Sequence, residues 1–191
     1  MTNPKSKSEA RLSETTKTYC KEWLKSEIYG YQKEISSKYM EKGIVLEDFA
    51  IDRTIEWLDL PFILKNEETF ENDFAKGTPD ILYGDTVLDI KCSWDAYTFP
   101  LFEDEIPNMD YYCQLQVYMW MTGKRNAKLV YVLLNTPDTI PTWETARDYD
   151  TLDKKYRIKC FDFEYDEEVI EKLKQRVILC REYINQLMGK L

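Results

Sequence analysis

The sequence predicts a mixed α/β protein built on one central β-sheet that is flanked by helices. Three features indicate this fold class: amphipathic helical runs near both ends of the chain, two β-rich segments around the turn Gly84-Asp85, and a near-continuous apolar run at residues 128–134. Such a run is typical of a strand that is buried on both faces of a sheet. With 191 residues, the chain is long enough to bury a substantial core.

Each element has its own sequence signal. The third helix ends at Gly123, a residue type that favours helix C-termini. The last helix carries Val169, Leu173 and Val177 at helical spacing. In chain order the sequence predicts helices at 14–40 and 43–58, extended segments at 68–75, 77–83 and 86–92, a helix at 109–122, strands at 128–134 and 156–164, and a helix at 166–188.

The composition excludes several classes of chemistry. Histidine is absent, which rules out histidine general bases, histidine-ligated zinc and nucleophiles activated by histidine. The five cysteines form no CxxC pair, so we expect reduced thiols in an intracellular protein. No apolar run has the length of a membrane span and the N-terminus lacks the apolar stretch of a signal peptide, so we expect a cytoplasmic protein with no membrane partner.

The net charge is −9 and the isoelectric point is near 4.8. An acidic balance argues against a nucleic-acid partner, because such proteins usually carry a basic footprint. The charge is unevenly distributed, however: residues 1–42 hold nine Lys or Arg and six Asp or Glu, a balance of +3, which leaves −12 for the remainder. A clustered acidic site that needs divalent cations would explain part of this excess.

Two aspartates and a lysine converge on the predicted hairpin. With Gly84-Asp85 as a two-residue loop, the pairing extends outward until Asp80 faces Asp89. Directly opposed residues have Cβ atoms about 5 Å apart, so the two carboxylates repel unless a cation lies between them. Lys91 is two residues beyond Asp89 and points to the same face. Carboxylate and carbonyl oxygens are the ligands that magnesium and manganese prefer.

The same residues also permit a structural interpretation, in which Asp80 and Asp89 face solvent and Lys91 forms a salt bridge. An aspartate two residues before a lysine is a weak signal by itself. The complete spacing is far more specific, because Pro79 precedes Asp80, the turn is centred, and Ile90 separates Asp89 from Lys91. We therefore interpret this segment as a divalent-cation site with an adjacent lysine that holds or polarises a water.

Glu47 is a candidate third acid. On a helical wheel of residues 43–58, Glu47 lies between two apolar groups that include Ile44 and Leu46, whereas the other acids lie on the polar side. A carboxylate directed into a core is costly unless it is paired or bound to metal. Two interpretations stay open: membership of the metal site, and a structural ion pair, for example with an arginine.

Two polar residues of the third predicted helix share one face. Gln114 and Tyr118 are spaced i, i+4, and both carry hydrogen-bonding groups. By themselves they fit an interior helix whose tyrosine simply belongs to the core. They become candidate site residues only beside the acidic pair and the lysine.

Together these residues resemble the PD-(D/E)xK nuclease superfamily, and within it the RecB, lambda-exonuclease and YqaJ-like branch. The resemblance implies a restriction-endonuclease-like core at residues 43–191, with residues 1–42 as a helical N-terminal extension packed on it. RecB-type members often carry a histidine before the glutamate, and this chain has none. The matching pieces occur in the family's order: Gly43 with Glu47 on a helix, Pro79-Asp80, Asp89-Ile90-Lys91, Gln114 with Tyr118, and Thr122-Gly123.

The resemblance implies a metal site as well. Asp80 and Asp89 would bind Mg²⁺ or Mn²⁺, as one or two ions. Glu47 would join directly or through water, and the backbone carbonyl of Ile90 would be a further ligand.

The remaining matched residues would act on the substrate. Lys91 would orient the attacking water and stabilise charge on the phosphate. Gln114 and Tyr118 would help to fix the site or the scissile strand. The reaction would be hydrolysis of a DNA phosphodiester.

The implied function is that of a phage-type, divalent-metal-dependent DNA exonuclease in recombination or repair, in a bacterial or phage-infected host cell. The implied partners are linear duplex ends, a single-strand annealing protein and further copies of the chain. Two alternatives stay open: an endonuclease of the same superfamily, and a non-catalytic acidic binding module that retains the fold.

Contacts to the DNA backbone would come from the N-terminal region, although its lysines alternate with glutamates as on any solvated helix. Trp94, Tyr97 and Phe99 follow Lys91 and would either stack on an end base or anchor their loop in the core. The basic candidates are Lys5, Lys7, Arg11, Lys17, Lys21, Lys25, Lys33, Lys38 and Lys42.

Overall fold

The computed structural model describes residues 11–32, 37–60, 62–140 and 147–191. The chain divides into two compact units, one formed by Met1–Ile35 with Glu167–Leu191 and the other by Ser36–Asp166. Within the described residues, no helix is long and apolar enough to cross a membrane. The expected domains at 1–42 and 43–191 stay a prediction.

The order of the helices agrees with the sequence prediction, but the three extended segments predicted between the second and third helices are four strands, and the last strand begins at Ile158 instead of residue 156. A short 3-10 helix, Lys154–Tyr156, precedes the last strand. The helices are α1 (Glu14–Tyr29), α2 (Lys38–Trp57), α3 (Met109–Thr122) and α4 (Glu167–Met188), and the strands are β1 (Phe70–Glu71), β2 (Lys76–Gly77), β3 (Ile81–Tyr83), β4 (Thr86–Ser93), β5 (Asn126–Leu133) and β6 (Ile158–Glu164).

The boundaries of the first two helices differ from the prediction. The helix predicted at 14–40 ends at Tyr29, because Gly30 takes a left-handed conformation with φ of 71°. The helix predicted at 43–58 begins earlier, at Lys38, because the Ser37 side chain caps it by accepting a hydrogen bond from the backbone N–H of Met40 at 3.3 Å. Residues 33–36 of the predicted first helix lie outside the described part of the chain.

The first unit is a pair of packed helices, α1 and α4. Ser13 caps α1 by accepting a hydrogen bond from the backbone N–H of Thr16. Arg176 of α4 donates to the backbone carbonyl of Arg11 at 2.8 Å, which ties the segment before α1 to α4.

The second unit is built on a mixed four-stranded sheet in the order β3-β4-β5-β6. β4 is antiparallel to β3 and parallel to β5, and β5 is antiparallel to β6. A separate two-stranded antiparallel ladder joins β1 and β2. Parallel neighbours need a crossover connection, and α3 supplies it between β4 and β5. The mixed α/β fold class is thereby confirmed.

Apolar side chains cover both faces of the four-stranded sheet. Leu129 and Leu133 of β5 belong to the buried cluster that contains Met119 of α3. Val130, between them, belongs to the cluster that contains Ile51 of α2. The apolar run of β5 is therefore buried on both faces, as predicted, and each fully buried aliphatic side chain contributes roughly 1.5–3 kcal/mol of transfer free energy.

Candidate active site

The β3–β4 hairpin has the predicted register. Ile81 pairs with Leu88, and Gly84 opens the two-residue turn with φ of 54°, a conformation that glycine adopts without strain. Asp80 immediately precedes β3, and its Oδ2 accepts a hydrogen bond from the backbone N–H of Ile90 at 2.6 Å. The segment before β3 is therefore fixed to the middle of β4.

The two aspartates of the predicted site lie in a buried, mutually repulsive environment. Asp89 is only 2% exposed. Burial, followed by repulsion from Asp89, raises the pKa of Asp80 to about 7, although the Ile90 N–H and the charge of Lys91 lower it. Burial also raises the pKa of Asp89, against the lowering effect of Lys91. The fold thus concentrates negative charge where burial already disfavours it.

Lys91 lies on the same face of β4 as Asp89, as the strand alternation predicted. Its Nζ is 2.6 Å from Asp89 Oδ2 and 4.8 Å from the centre of the Tyr111 ring. Burial lowers the pKa of Lys91, but the combined attraction of Asp89 and Asp80 outweighs it, so the pKa is raised. Lys91 is therefore a cation at neutral pH and is held beside the acidic pair.

Gln114 and Tyr118 share one face of α3, also as predicted. Gln114 Nε2 donates a hydrogen bond to the Tyr118 hydroxyl oxygen at 2.9 Å. Burial raises the pKa of Tyr118 against the effect of this hydrogen bond, and the charge of Asp89 raises it further. Gly77 packs against the ring so closely that a Cβ there would lie 2.6 Å from Tyr118 Cε1. Only glycine therefore fits at position 77 without displacing the ring.

A cavity of about 560 Å³ opens beside these side chains. Its volume is within the range of ordinary ligand sites. Asp80, Ile90 and Lys91 line the cavity together with Glu47 of α2. The lining also includes the apolar and aromatic residues Tyr39, Met40, Ile44, Trp94, Tyr111 and Tyr131.

Glu47 faces this cavity and not the core. Its side chain is half-exposed, and its Oε1 lies 2.7 Å from the Nζ of Lys65. Ile44, expected on the buried side of the helix, is 70% exposed because it lines the same cavity. The expectation of a carboxylate directed into a core was therefore wrong. The structure contains the ion pair that was the alternative, with Lys65 in place of an arginine, while Glu47 still lies close enough to raise the pKa of both Asp80 and Asp89.

The donor set of this cavity fits a divalent cation. Asp89 Oδ2 is buried and, apart from the Lys91 ion pair, accepts no hydrogen bond from any described residue. Two close carboxylates and a strand carbonyl are hard oxygen donors of the kind that Mg²⁺ and Mn²⁺ prefer. Within the described part of the chain, no three acidic or cysteine side chains are already grouped around one point. Of the three acids Glu47, Asp80 and Asp89, Glu47 forms an ion pair with Lys65 instead of Lys91.

The sequence reasoning missed a buried lysine at the beginning of α2. Lys42, expected to contact DNA, is 0% exposed, and its Nζ donates to the carbonyl oxygens of Trp94 at 2.8 Å and Leu134 at 2.7 Å. That expectation was wrong because Lys42 occupies the buried stripe of α2 that continues through Leu46 and Ala50. The i, i+4 spacing of these residues was the available signal.

The aromatic residues after Lys91 differ in burial, and the role of loop anchor applies to two of them, while stacking on a base stays a prediction. Trp94 and Phe99 are buried and anchor their loop, whereas Tyr97 is 97% exposed. Of the other basic candidates, Lys17 pairs with Glu14 on α1. Lys5, Lys7 and Lys33 lie outside the described residues.

Solved structures match this chain, although no protein-family profile and no curated protein sequence does. The structure of a phage related exonuclease from Haemophilus somnus 129PT superposes with a TM-score of 0.87 and 31% sequence identity, over 99% of this chain and 91% of that one. An alkaline exonuclease from Laribacter hongkongensis shares the fold, with a TM-score of 0.68 and 21% identity over 95% of this chain and 88% of that one. A second structure of that enzyme, in complex with dAMP, has a TM-score of 0.67 and 22% identity over the same shares of the two chains.

The fold and the match over nearly the whole chain define a protein of the restriction-endonuclease-like fold class. The chain belongs to the PD-(D/E)xK superfamily, in its lambda-exonuclease and YqaJ-like branch. The resemblance inferred from residues 43–123 is thereby confirmed.

Proposed function

We propose that this protein is a divalent-metal-dependent DNA exonuclease that hydrolyses phosphodiester bonds from linear duplex ends. The observation that carries the proposal is that Asp80 and Lys91 line one cavity while the buried Asp89 pairs with Lys91 and repels Asp80. The similarity to a phage related exonuclease, at 31% identity over 99% of this chain, supports the choice of exonuclease over endonuclease. A phage-type role in recombination or repair, beside a single-strand annealing protein, belongs to the same proposal.

Asp80, Asp89 and the carbonyl of Ile90 would hold Mg²⁺ or Mn²⁺, with Glu47 as a further ligand directly or through water. When bound, the cation supplies positive charge that lowers the barrier to attack by water on the phosphodiester. Burial of Asp89 and the hydrogen bond between Asp80 and Ile90 fix the two aspartates before any ligand arrives. Such preorganisation avoids a reorganisation cost during the reaction.

Lys91 is the proposed catalytic lysine. Its raised pKa keeps it charged at neutral pH, so its ammonium group can donate a hydrogen bond to the attacking water and to a phosphate oxygen. Its contact with Asp89 holds that ammonium group at the mouth of the acidic pair. Stabilising the charge that develops on the phosphate is the task for which a fixed donor is most effective.

Gln114 and Tyr118 are proposed to fix the site from the α3 side. Their hydrogen bond holds the tyrosine hydroxyl in one position, and Gly77 permits close approach of the ring. These two fixed side chains would hold the scissile strand close to Lys91.

The proposal is tested by digestion of linear duplex DNA that carries a label at one 5′ end or the other, in Mg²⁺ or Mn²⁺. We expect metal-dependent release of label that starts at ends, and its order gives the polarity. Covalently closed circular DNA is the matched control and should stay intact. Cutting of the circle would instead establish the endonuclease, and no cleavage of linear, nicked or single-stranded DNA in either metal would favour the non-catalytic binding module.

A further inference from the structure

Lys65, in the segment between α2 and β1, binds two acids of α2 at once. Its Nζ donates to Glu47 Oε1 at 2.7 Å and to Asp48 Oδ1 at 2.7 Å. Glu47 lines the candidate active site, whereas Asp48 does not. The lysine therefore places a positive charge directly on the one acid of the cavity that comes from a helix.

The residue after Lys65 fixes this segment to the aspartate of the site. The backbone N–H of Asn66 donates to the carbonyl oxygen of Asp80 at 2.8 Å, and its side-chain amide donates to the carbonyl oxygen of Pro79 at 2.9 Å. Lys65 and Asn66 thus connect Glu47 on α2 to the Pro79-Asp80 segment. Because both ends of this connection are hydrogen-bonded, the lysine charge has a defined position beside the site.

Electrostatic repulsion connects Glu47 to the acidic pair. Its charge raises the pKa of Asp80 and of Asp89. The three carboxylates therefore interact electrostatically, and Lys65 neutralises the most exposed of them, Glu47. A divalent cation in the cavity would be attracted by the three carboxylates and repelled by the positive charge of Lys65.

We propose that Lys65 competes with the divalent cation for Glu47 and so lowers the affinity of the active site for metal. The inference rests on the proposed function, since it assumes that Asp80 and Asp89 bind metal. Lys65 is a positioning residue in this scheme, because it acts through Glu47 and touches neither substrate nor reacting atoms. Removing its charge frees Glu47 for the cation, and we expect the dissociation constant for Mn²⁺ to fall by about five- to tenfold.

The test is calorimetric titration of the full-length, metal-free protein with MnCl₂, which needs no catalytic turnover. Lys65→Met should bind Mn²⁺ more tightly than the wild type. Lys76→Met is the control, because Lys76 is also a lysine in an ion pair, with Glu71, but on the exposed β1–β2 ladder. It removes the same charge and should leave the dissociation constant unchanged. Lys65→Gln, which keeps a hydrogen-bond donor, should behave like Lys65→Met and guards against a folding defect.

A double-mutant comparison separates competition at Glu47 from a general change of field. In a Glu47→Gln background, Lys65→Met should have almost no effect on Mn²⁺ affinity, because no carboxylate remains to be released. Unchanged or weaker binding by both Lys65 variants would overturn the inference while leaving the metal site intact. An absence of Mn²⁺ binding by the wild type would overturn the metal site itself, which is a distinguishable result.

Discussion

The proximity of Asp80 and Asp89 destabilises the folded protein, and the fold itself does not need carboxylates at these two positions. Asp89 is buried and Asp80 is partly buried, and burial together with repulsion raises the pKa of Asp80 to about 7. Most strand residues at such positions would be apolar, as Ile81 and Leu88 are. Perturbed pKa values of this kind are typical of functional sites, where a bound ligand offsets the unfavourable electrostatics.

We predict that Asp80→Asn stabilises the metal-free protein. At pH 8 the wild-type carboxylate is ionised, because its pKa is about 7, and an amide removes the buried charge while keeping an oxygen to accept the Ile90 hydrogen bond. The gain in the free energy of unfolding should be about 1 kcal/mol or more, measured by urea denaturation in a chelator. Glu71→Gln, in an exposed pair with Lys76, is the control and should change little. A less stable Asp80→Asn protein would refute the argument.

Lys42 predicts a pH dependence of stability. Burial lowers its pKa, against the smaller raising effects of Cys92 and Asp95. In the window below its ordinary value of 10.5, the unfolded chain therefore binds more protons than the folded one, so the free energy of unfolding rises with pH. The Lys42→Met variant should lack this rise. Its free energy of unfolding should also be lower by about 1–3 kcal/mol, because two buried carbonyl oxygens lose their hydrogen-bond donor.

The measurement is denaturant unfolding of the wild type and Lys42→Met between about pH 7 and pH 10, an interval that lies below the ordinary pKa of lysine. The difference in the free energy of unfolding should grow in favour of the wild type as the pH rises. A constant difference, or one that shrinks with pH, would show that Lys42 keeps its ordinary pKa in the folded protein.

At the scale of elements, the loop at residues 94–99, directly after β4, presents one exposed aromatic side chain on a fixed turn. Asp95 Oδ1 accepts hydrogen bonds from the backbone N–H groups of Tyr97 at 3.0 Å and Thr98 at 2.9 Å. Trp94 and Phe99 anchor the two ends of the loop in buried positions. Tyr97 is therefore held outward, next to a loop residue, Thr98, that lines the candidate site.

We predict that Tyr97→Ala weakens the binding of DNA without changing stability. Stacking of a base on an exposed aromatic ring contributes about 1–3 kcal/mol, so the dissociation constant for a duplex end should rise by about fivefold or more. Fluorescence anisotropy with labelled duplex in Ca²⁺ measures it, and Tyr83→Ala, an exposed tyrosine of the hairpin, is the control. Equal affinity of Tyr97→Ala and the wild type would exclude the contact.

The hairpin and the helices show what local sequence can predict. The Gly84-Asp85 turn fixes the register of β3 and β4, so the positions of Asp89 and Lys91 follow from alternation alone. The partners of Glu47 and Lys42 did not follow, because they are set by contacts between distant parts of the chain. Lys65 is 18 positions from Glu47, and Leu134 is 92 positions from Lys42. No periodicity connects residues that far apart.

At the scale of the whole molecule, an acidic chain carries a nuclease fold. The net charge is −9, and part of the negative charge lies in the candidate site, at Asp80, Asp89 and Glu47. The match to a phage related exonuclease spans 91% of that protein, so both chains have about the same extent. The family follows from a short set of matched residues, whereas net charge does not indicate which residues would contact a partner.

The assignment of Asp80, Asp89 and Lys91 as the catalytic group is tested by one comparison of rates. Nucleotide release from linear duplex in Mg²⁺ is measured for the wild type, Lys91→Ala and Lys128→Ala. Lys128 is the matched control, because it lies on the neighbouring strand β5 and also pairs with one acid, Asp162. We expect Lys91→Ala to lose about 100-fold or more in rate, and Lys128→Ala to keep the wild-type rate. A Lys91→Ala protein that is folded and digests DNA at the wild-type rate would contradict the assignment.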